Sequence, residues 1–175
     1  MQIKEILSKK RSKIIKRWRD VIFDSYPDNS QRFLRKERDQ FANPIGNVIY
    51  EEIEKIYDEL VNEGDLDKIT PGLEDIIRVR AVQDFKPSQA ILFVLQLKKV
   101  IREEFKGRTL SDELSGELQA LENRIDDIAL LAFDIYSQCR QKIFDIRVHE
   151  VRNQVGKLLE KANLLYEIPA LQKGL

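Results

Sequence analysis

Residues 76–90 of this 175-residue chain read IIRVRAVQDFKPSQA, and this stretch decides how the fold is interpreted. At about 100° per residue, a helix through it carries two charged side chains on its apolar stripe. The members of that stripe are Leu73, Ile76, Ile77, Arg80 and Asp84. Two valines make a second side apolar, so we predict a helix that is enclosed by other helices and ended by Pro87.

Arg80 and Asp84 stand four residues apart, which is the spacing at which two helical side chains can pair. A charge that loses water must be paired and hydrogen-bonded, because an unpaired ion in a low-dielectric interior is costly. We therefore expect an internal ion pair. Two alternatives stay open: Arg80 partly faces a cavity and receives an anionic or polar ligand, or the pair lies at the surface. Arg78, Gln83 and Gln89 are further candidates for ligand or partner contact.

Prolines, glycines and cap residues divide the chain into helices. Few turns are expected, because the chain has only 7 glycines and 5 prolines among many helix-forming residues. The predicted helices are 2–25, about two turns within 28–36, 44–64 capped by Asn43, one opened by Thr70 and Pro71, 87–107, and one very long or two nearly continuous helices over 111–163. The fold class is therefore all-α, a bundle of about five to six helices with a long C-terminal helix.

Composition and charge exclude several classes of partner. Lys plus Arg and Asp plus Glu each number 30, so the formal net charge is zero and no overall field attracts nucleic acid or anionic membrane. The longest nearly uncharged apolar run, residues 90–97, is far shorter than the roughly 20 residues of a membrane-spanning helix. Cys139 is the single cysteine and no signal-peptide pattern occurs, so we predict a cytoplasmic protein without a transmembrane segment.

The residues needed for metal, haem or enzyme chemistry are too few. One histidine, His149, and one cysteine cannot supply a structural zinc site or the two histidines of a di-iron bundle. His149 also lies late in the last helix, where the apolar register changes, which disfavours haem ligation. No Gly-rich phosphate loop, nucleophile elbow or spaced Ser, His and Asp set is present. We predict no catalytic residues, no metal site, no cofactor and no enzyme activity.

Residues 9–19, KKRSKIIKRWR, form the most basic segment of the chain. A membrane-surface helix and a patch for nucleic acid or another acidic partner are its functional interpretations. However, Ile14 and Trp18 share an apolar stripe with Leu7 and Val21. We therefore favour a tryptophan that packs inward, with lysines along a solvated edge.

A heptad-like seam marks the end of the chain. Its apolar residues step by four, three, four and three, which is the spacing of a helix that joins another helix. The seam residues are Val151, Val155, Leu158, Ala162 and Leu165. The same alternation runs upstream over 118–139, so the long helix can bury one stripe and present another. We predict a homodimer, with 1–150 as a helical sensor-like domain and 151–175 as a coiled-coil-like extension. A partner-docking segment or a frayed tail is the alternative.

Four segments carry a family resemblance. They are FLRKERDQFANPIG at 33–46, IIRVRAVQDFKPSQA at 76–90, LKKVIREEF at 97–105 and LLAFDIYSQCRQKIFDIRVHEVRN at 130–153. In this order they resemble the RsbRD N-terminal domain family, which is named after the co-antagonists of the kinase RsbT. The resemblance covers most of the chain.

The resemblance implies a helical, non-enzymatic sensory or regulatory module of stress-response signal transduction, usually placed ahead of a STAS domain or a histidine kinase core. With 175 residues and no such domain, the chain is expected to be a stand-alone member that acts through a separate STAS-type or kinase protein. Related co-antagonists have globin-like sensor domains without haem, so a globin-like dimer is expected by analogy.

The alternative function is a passive helical adaptor, which scaffolds a partner protein or complex without a small-molecule ligand. The cavity around Arg80 discriminates between the two functions. A ligand-sized polar cavity that touches Arg80 would favour sensing, whereas a dry, filled core would favour the adaptor.

Overall fold

The computed structural model of the protein describes residues 2–37, 39, 41–107 and 109–162. Across these residues the chain forms seven α-helices and no strand. They are α1 (Ile3–Lys9), α2 (Arg11–Asp24), α3 (Asp28–Lys36), α4 (Pro44–Val61), α5 (Leu66–Val82), α6 (Pro87–Glu103) and α7 (Asp112–Lys161). The predicted all-α fold with a long C-terminal helix is confirmed. The globin-like arrangement stays a prediction.

The helix count exceeds the predicted five to six because the first predicted helix is two. Lys10 lies between α1 and α2 with φ −102° and ψ 6°, outside helical geometry. Its side chain donates to the carbonyl oxygen of Glu104 at 2.9 Å. The apolar spacing continues across Lys10, so periodicity alone could not reveal the break.

Two proline positions have different outcomes. Asn43 and Pro44 open α4 as predicted, because the Asn43 side chain accepts a hydrogen bond from the Gly46 amide at 2.8 Å. Pro71, by contrast, lies inside α5, so the predicted start at Thr70 and Pro71 is wrong. The helix begins five residues earlier, at Leu66, after Asp65 as its N-cap. The missing proline N–H is tolerated because the carbonyl that it would have bonded belongs to an exposed residue near the helix start.

Met1–Cys139 forms one compact unit and Arg140–Leu175 a second. In the first unit α4 packs along α5, α2 packs along α6, and α2 also contacts α3 and α4. Trp18 is buried at the α2–α6 contact, where its indole N–H donates to the Phe93 carbonyl at 2.8 Å. The central position of α2 follows from its wide apolar face. The domain boundary at residue 150 stays a prediction.

α7 is a single helix of 50 residues. Within the first unit it contributes a stripe of buried apolar residues to the core: Leu121, Ile125, Ile128, Ala132 and Ile135. Within the second unit, described here to residue 162, its large apolar side chains are mostly exposed, including Phe144, Val151 and Leu158.

Candidate functional site

Arg80 lies in the last turn of α5 with 0% of its surface exposed. Leu73, Ile76 and Ile77 on the same face are also buried, at no more than 1% exposed each. The predicted burial of the stripe is therefore confirmed from Leu73 to Arg80, whereas the second apolar side is not enclosed, because Val82 is 65% exposed. A guanidinium at such a position needs local compensation for the water that it loses.

Hydrogen bonds from the Arg80 guanidinium join the ends of three helices. Its Nη1 donates to the carbonyl oxygen of Gln89, in the first turn of α6, at 3.0 Å. Its Nη2 donates to Ser25 Oγ at 2.7 Å and to the carbonyl oxygen of Ile22 at 3.4 Å. Carbonyl groups at a helix C-terminus carry the negative end of the helix dipole, so the end of α2 supplies partial negative charge to the cation.

Three aromatic rings complete the surroundings of this guanidinium. Its Cζ lies 5.4 Å from the ring centroid of Tyr26, 4.8 Å from that of Phe85 and 5.1 Å from that of Phe93. A cation within about 6 Å of a ring centroid is attracted by the negative face of the ring. The rings therefore replace part of the hydration of Arg80 with cation–π contacts.

The predicted ion pair between Arg80 and Asp84 is wrong. The hydrogen bonds of the guanidinium within the described residues go to two carbonyl oxygens and one hydroxyl, not to a carboxylate. Side chains four residues apart meet only inside a helix, and α5 ends at Val82. Asp84 follows in the left-handed region, with φ 58°, and is exposed.

Burial perturbs both ionisable groups at this site. Loss of water lowers the pKa of Arg80 from its usual value and raises the pKa of Tyr26, while the Arg80 charge acts to lower the pKa of that phenol. Among the described residues, neither Arg80 Nε nor the Tyr26 hydroxyl makes a hydrogen bond of good geometry, although the phenol and the guanidinium lie close enough to interact. One guanidinium N–H donor is therefore buried and unused, which is an unusual feature in a folded protein.

A cleft of about 350 Å³ opens beside Arg80. Its lining comes from the end of α2, the end of α5 and the first half of α6: Val21, Asp24, Ser25, Arg80, Gln89, Leu92, Phe93 and Gln96. The volume is within the range of small-molecule sites, which run from about 300 to 1,000 Å³. The cleft combines a cationic floor, an apolar wall and amide groups.

The other candidate residues lie apart from this arrangement or at its edge. Gln89 lines the same cleft as Arg80. Gln83 lines a separate cleft of about 340 Å³ beside Tyr26 and Phe33. Arg78 is exposed on the outer face of α5, where it pairs with two carboxylates of the preceding turn. The structure thus brings together Arg80 and Gln89, and their ligand role stays a prediction.

Three polar residues of the cleft were not among the predicted site residues. Asp24 and Ser25 stand at the end of α2, more than fifty positions before Arg80, and Gln96 lies in the middle of α6. Nothing in one sequence links positions so far apart. Pro27, two residues after Ser25, was the available signal, because residues just before a helix stop can present carbonyl and hydroxyl oxygens.

The second compact unit carries the predicted seam. Val151, Val155 and Leu158 are 57%, 47% and 65% exposed, and Ala162 is exposed as well. The remaining seam residue, Leu165, lies outside the described residues. Two earlier residues extend the spacing of the seam toward the N-terminus: Phe144, which is 61% exposed, and Val148, which is half-buried.

Five of the seven cations in the basic segment 9–19 pair with acidic side chains within the first unit. Lys10 and Lys13 both pair with the buried carboxylate of Glu104, at 2.8 Å in each case. Arg11 bonds the Asp58 side chain. Trp18 is 1% exposed, so its predicted inward packing is confirmed. Because these cations already bind acidic side chains, the segment does not present a bare basic patch.

Two kinds of feature are absent from the described part of the chain. No group of three His, Cys, Asp or Glu side chains there is arranged to hold a metal ion. Nor is any helix in those residues both long and apolar enough to cross a membrane.

Comparisons with known proteins give a match in sequence. The family model described as RsbT co-antagonist protein rsbRD N-terminal domain matches residues 12–151. An uncharacterized protein of Archaeoglobus fulgidus is 26% identical over 146 residues, which cover 80% of this chain and 83% of the relative. No solved structure matches the chain.

Proposed function

Because this chain belongs to the RsbT co-antagonist protein rsbRD N-terminal domain family, we propose that it is a non-enzymatic regulatory module of signal transduction. It acts through protein contacts, and its partner is a signalling protein of the STAS or kinase type. The observation that carries this proposal is the exposed apolar seam of the second unit, since such a surface on a helix calls for another helix.

The occupant that we propose for the seam is a second copy of the chain. Written as heptads, Val148, Val155 and Ala162 fall at a positions, and Phe144, Val151 and Leu158 fall at d positions. Two β-branched residues at a, with a leucine among the d residues, favour a parallel two-stranded pair. A homodimer would cover a stripe that the single chain leaves in water.

α7 supports a simple route for the signal. One continuous helix of 50 residues bears buried residues in the first unit and the seam in the second. A change in the first unit would bias the register or packing of the paired helices. Such a bias requires that a ligand or partner bind the two states with different affinity.

Sedimentation equilibrium of the full chain tests the dimer. Leu158→Glu places a charge on the seam and is expected to weaken association by about tenfold or more, because a buried unpaired charge is costly in a helix pair. Asn153→Glu is the matched control, since residue 153 falls at the outward f position. Monomeric wild-type chain at tens of micromolar, or equal effects of the two variants, would contradict the proposal.

The second candidate function is the passive adaptor, which holds a partner without a small-molecule signal. The exposed seam fits this function as well as the first. The cleft beside Arg80 favours sensing, because a body that serves only as a scaffold needs no ligand-sized space beside a buried cation. Binding of a small molecule to the full chain therefore separates the two functions.

A further inference from the structure

A buried cation without a carboxylate partner is the strongest electrostatic anomaly among the described residues. The five N–H donors of a guanidinium meet three neutral acceptors at Arg80, namely the carbonyl oxygens of Ile22 and Gln89 and the hydroxyl of Ser25. Nε makes no hydrogen bond of good geometry in the described chain. Buried charges are normally paired with an opposite charge, and none of the described side chains supplies a carboxylate to this guanidinium.

The cleft beside Arg80 has the space for that counter-ion. Ser25 and Gln89 both hold the guanidinium and line the cleft. An anion that enters therefore meets the Arg80 donors where they now meet a neutral hydroxyl. A charge-assisted hydrogen bond is roughly twice as strong as a neutral one, so an anionic oxygen would displace Ser25 Oγ as the acceptor. Ser25 would still donate to the Ile22 carbonyl, as it does now at 2.5 Å.

The remaining lining restricts the chemistry of the ligand. Val21, Leu92 and Phe93 form an apolar wall, and the Gln96 side chain offers an amide. Asp24 stands at the exposed rim, where its carboxylate is 65% exposed and pairs with Arg35 at 2.5 Å. Arg35 offsets part of this charge, and the remainder still repels a dianion more than a monoanion, which favours a carboxylate ligand over a phosphate.

We propose that this cleft binds a small monoanionic carboxylate with a short apolar tail, whose head accepts hydrogen bonds from Arg80 and whose tail packs on Leu92 and Phe93. The inference rests on the regulatory function proposed above, for which it supplies the signal. Because the ligand takes the place of Ser25 at the guanidinium, binding changes the contact between Arg80 and the end of α2. In this proposal, the contact between Arg80 and the end of α2 differs between the free and the ligand-bound state.

Isothermal titration calorimetry of the full chain with hexanoate tests the site. Hexanol, hexylamine and hexyl phosphate are matched probes with neutral, cationic and dianionic heads. We expect saturable binding of one hexanoate per chain, weaker binding of hexyl phosphate, and no saturable binding of the other two probes. No saturable binding of hexanoate up to 10 mM, or tighter binding of the phosphate, would overturn the proposal.

Two rim variants test the place of binding without removing Arg80. Gln96→Glu adds a negative charge to the lining and is expected to weaken hexanoate binding by about threefold to tenfold, while Asp24→Asn removes one and is expected to strengthen it by about threefold. Asp75→Asn, an exposed carboxylate on α5 outside the cleft, is the control and leaves affinity unchanged. Equal hexanoate affinities in all three variants would mean that hexanoate binds outside the cleft, which would overturn the proposal.

Failure of this inference can be distinguished from failure of the proposed function. The same samples are measured by sedimentation equilibrium, which reports the seam of the second unit rather than the cleft. A chain that is dimeric but does not bind hexanoate would contradict the proposed ligand site and leave the proposed dimer unaffected. A chain that is monomeric but binds hexanoate would contradict the proposed dimer and support the proposed ligand site.

Discussion

The same spacing of apolar residues occurs twice along α7, once where the residues are buried and once where they are exposed. In the first compact unit, the stripe of Leu121, Ile125, Ile128, Ala132 and Ile135 is 0–7% exposed. In the second unit, Val151, Val155 and Leu158 are 47–65% exposed. The spacing therefore selects which face of a helix is apolar, and it does not say what covers that face. Helices of the first unit cover the first stripe, whereas the second stripe stays exposed among the residues that the structure describes.

The largest expected effect is a difference in the free energy of unfolding between two alanine variants, one from each stripe. Ile125 is fully buried, so Ile125→Ala is expected to lower the free energy of unfolding by about 2–5 kcal/mol through lost burial and the cavity left behind. Leu158→Ala is expected to change it by less than about 0.5 kcal/mol in dilute, monomeric protein. Urea unfolding followed by circular dichroism measures both. Similar losses for the two variants would remove the contrast.

The second prediction concerns the cation inside the first unit. Arg80→Ala leaves a cavity among three rings and is expected to cost about 3 kcal/mol of stability. Arg80→Met fills the space without a charge that needs compensation, so the expected cost is only about 1 kcal/mol or less. Thermal unfolding of both variants checks the order. Equally large losses for the two variants would mean that the hydrogen bonds of Arg80, which both variants lack, hold the three helices rather than its volume.

The third prediction is a dependence of stability on acid. Hydrogen bonds from Lys10, and then from Lys13, lower the pKa of Glu104 from 4.5 to about 2. A lowered folded-state pKa contributes stability that is fully present above about pH 4.5 and is lost as the pH falls toward about 2. We expect a contribution of about 1–2 kcal/mol, reduced by solvent because Lys13 is largely exposed.

Stability measured from pH 7 to pH 2.5 for Glu104→Gln and for Glu113→Gln checks this contribution. Glu113 is exposed, and its variant should keep the steep acid dependence of the wild type. A curve for Glu104→Gln that runs parallel to the wild type would show that the paired carboxylate does not carry the effect.

The smallest effect concerns the edges of the seam. In a parallel pair, Arg147 at a g position faces Arg152 of the second copy at an e position, and like charges repel. Raising the salt concentration from 0.05 to 0.5 M should therefore tighten the dimer by about twofold to threefold, because salt screens exposed charges. Sedimentation equilibrium at the two salt concentrations measures the change. A dimer that weakens with salt would argue against the parallel arrangement.

The parts of the fold that depend on local chemistry could be predicted from the sequence. Asn43 with Pro44 opened a helix as expected, and the apolar stripe through Arg80 was correctly placed in the core. The helix start predicted at Pro71 was wrong, because the helix begins before this proline, after the N-cap residue Asp65. Local signals compete, and the stronger cap decides where a helix begins.

The site was only partly predictable, because its partners come from distant parts of the chain. Periodicity placed Arg80 and Asp84 on one stripe, but the helix ends two residues before Asp84. A periodic pattern predicts the ends of a helix less reliably than its existence. Here a difference of one turn at the end of α5 determines whether the Arg80 and Asp84 side chains can meet. Ser25 and the aromatic rings reach Arg80 only through tertiary packing, which one sequence does not reveal.

Disulfide cross-linking tests the central claim, the parallel pairing of the seam, most directly. In a chain with Cys139→Ser, Leu158→Cys places a thiol at a d position, where the same residue of the second copy lies within disulfide reach in a parallel pair. Mild oxidation is expected to give a covalent dimer for Leu158→Cys and little for the control Asn153→Cys at the outward f position. Leu158→Cys chains that stay monomeric, or equal cross-linking of both variants, would contradict the account.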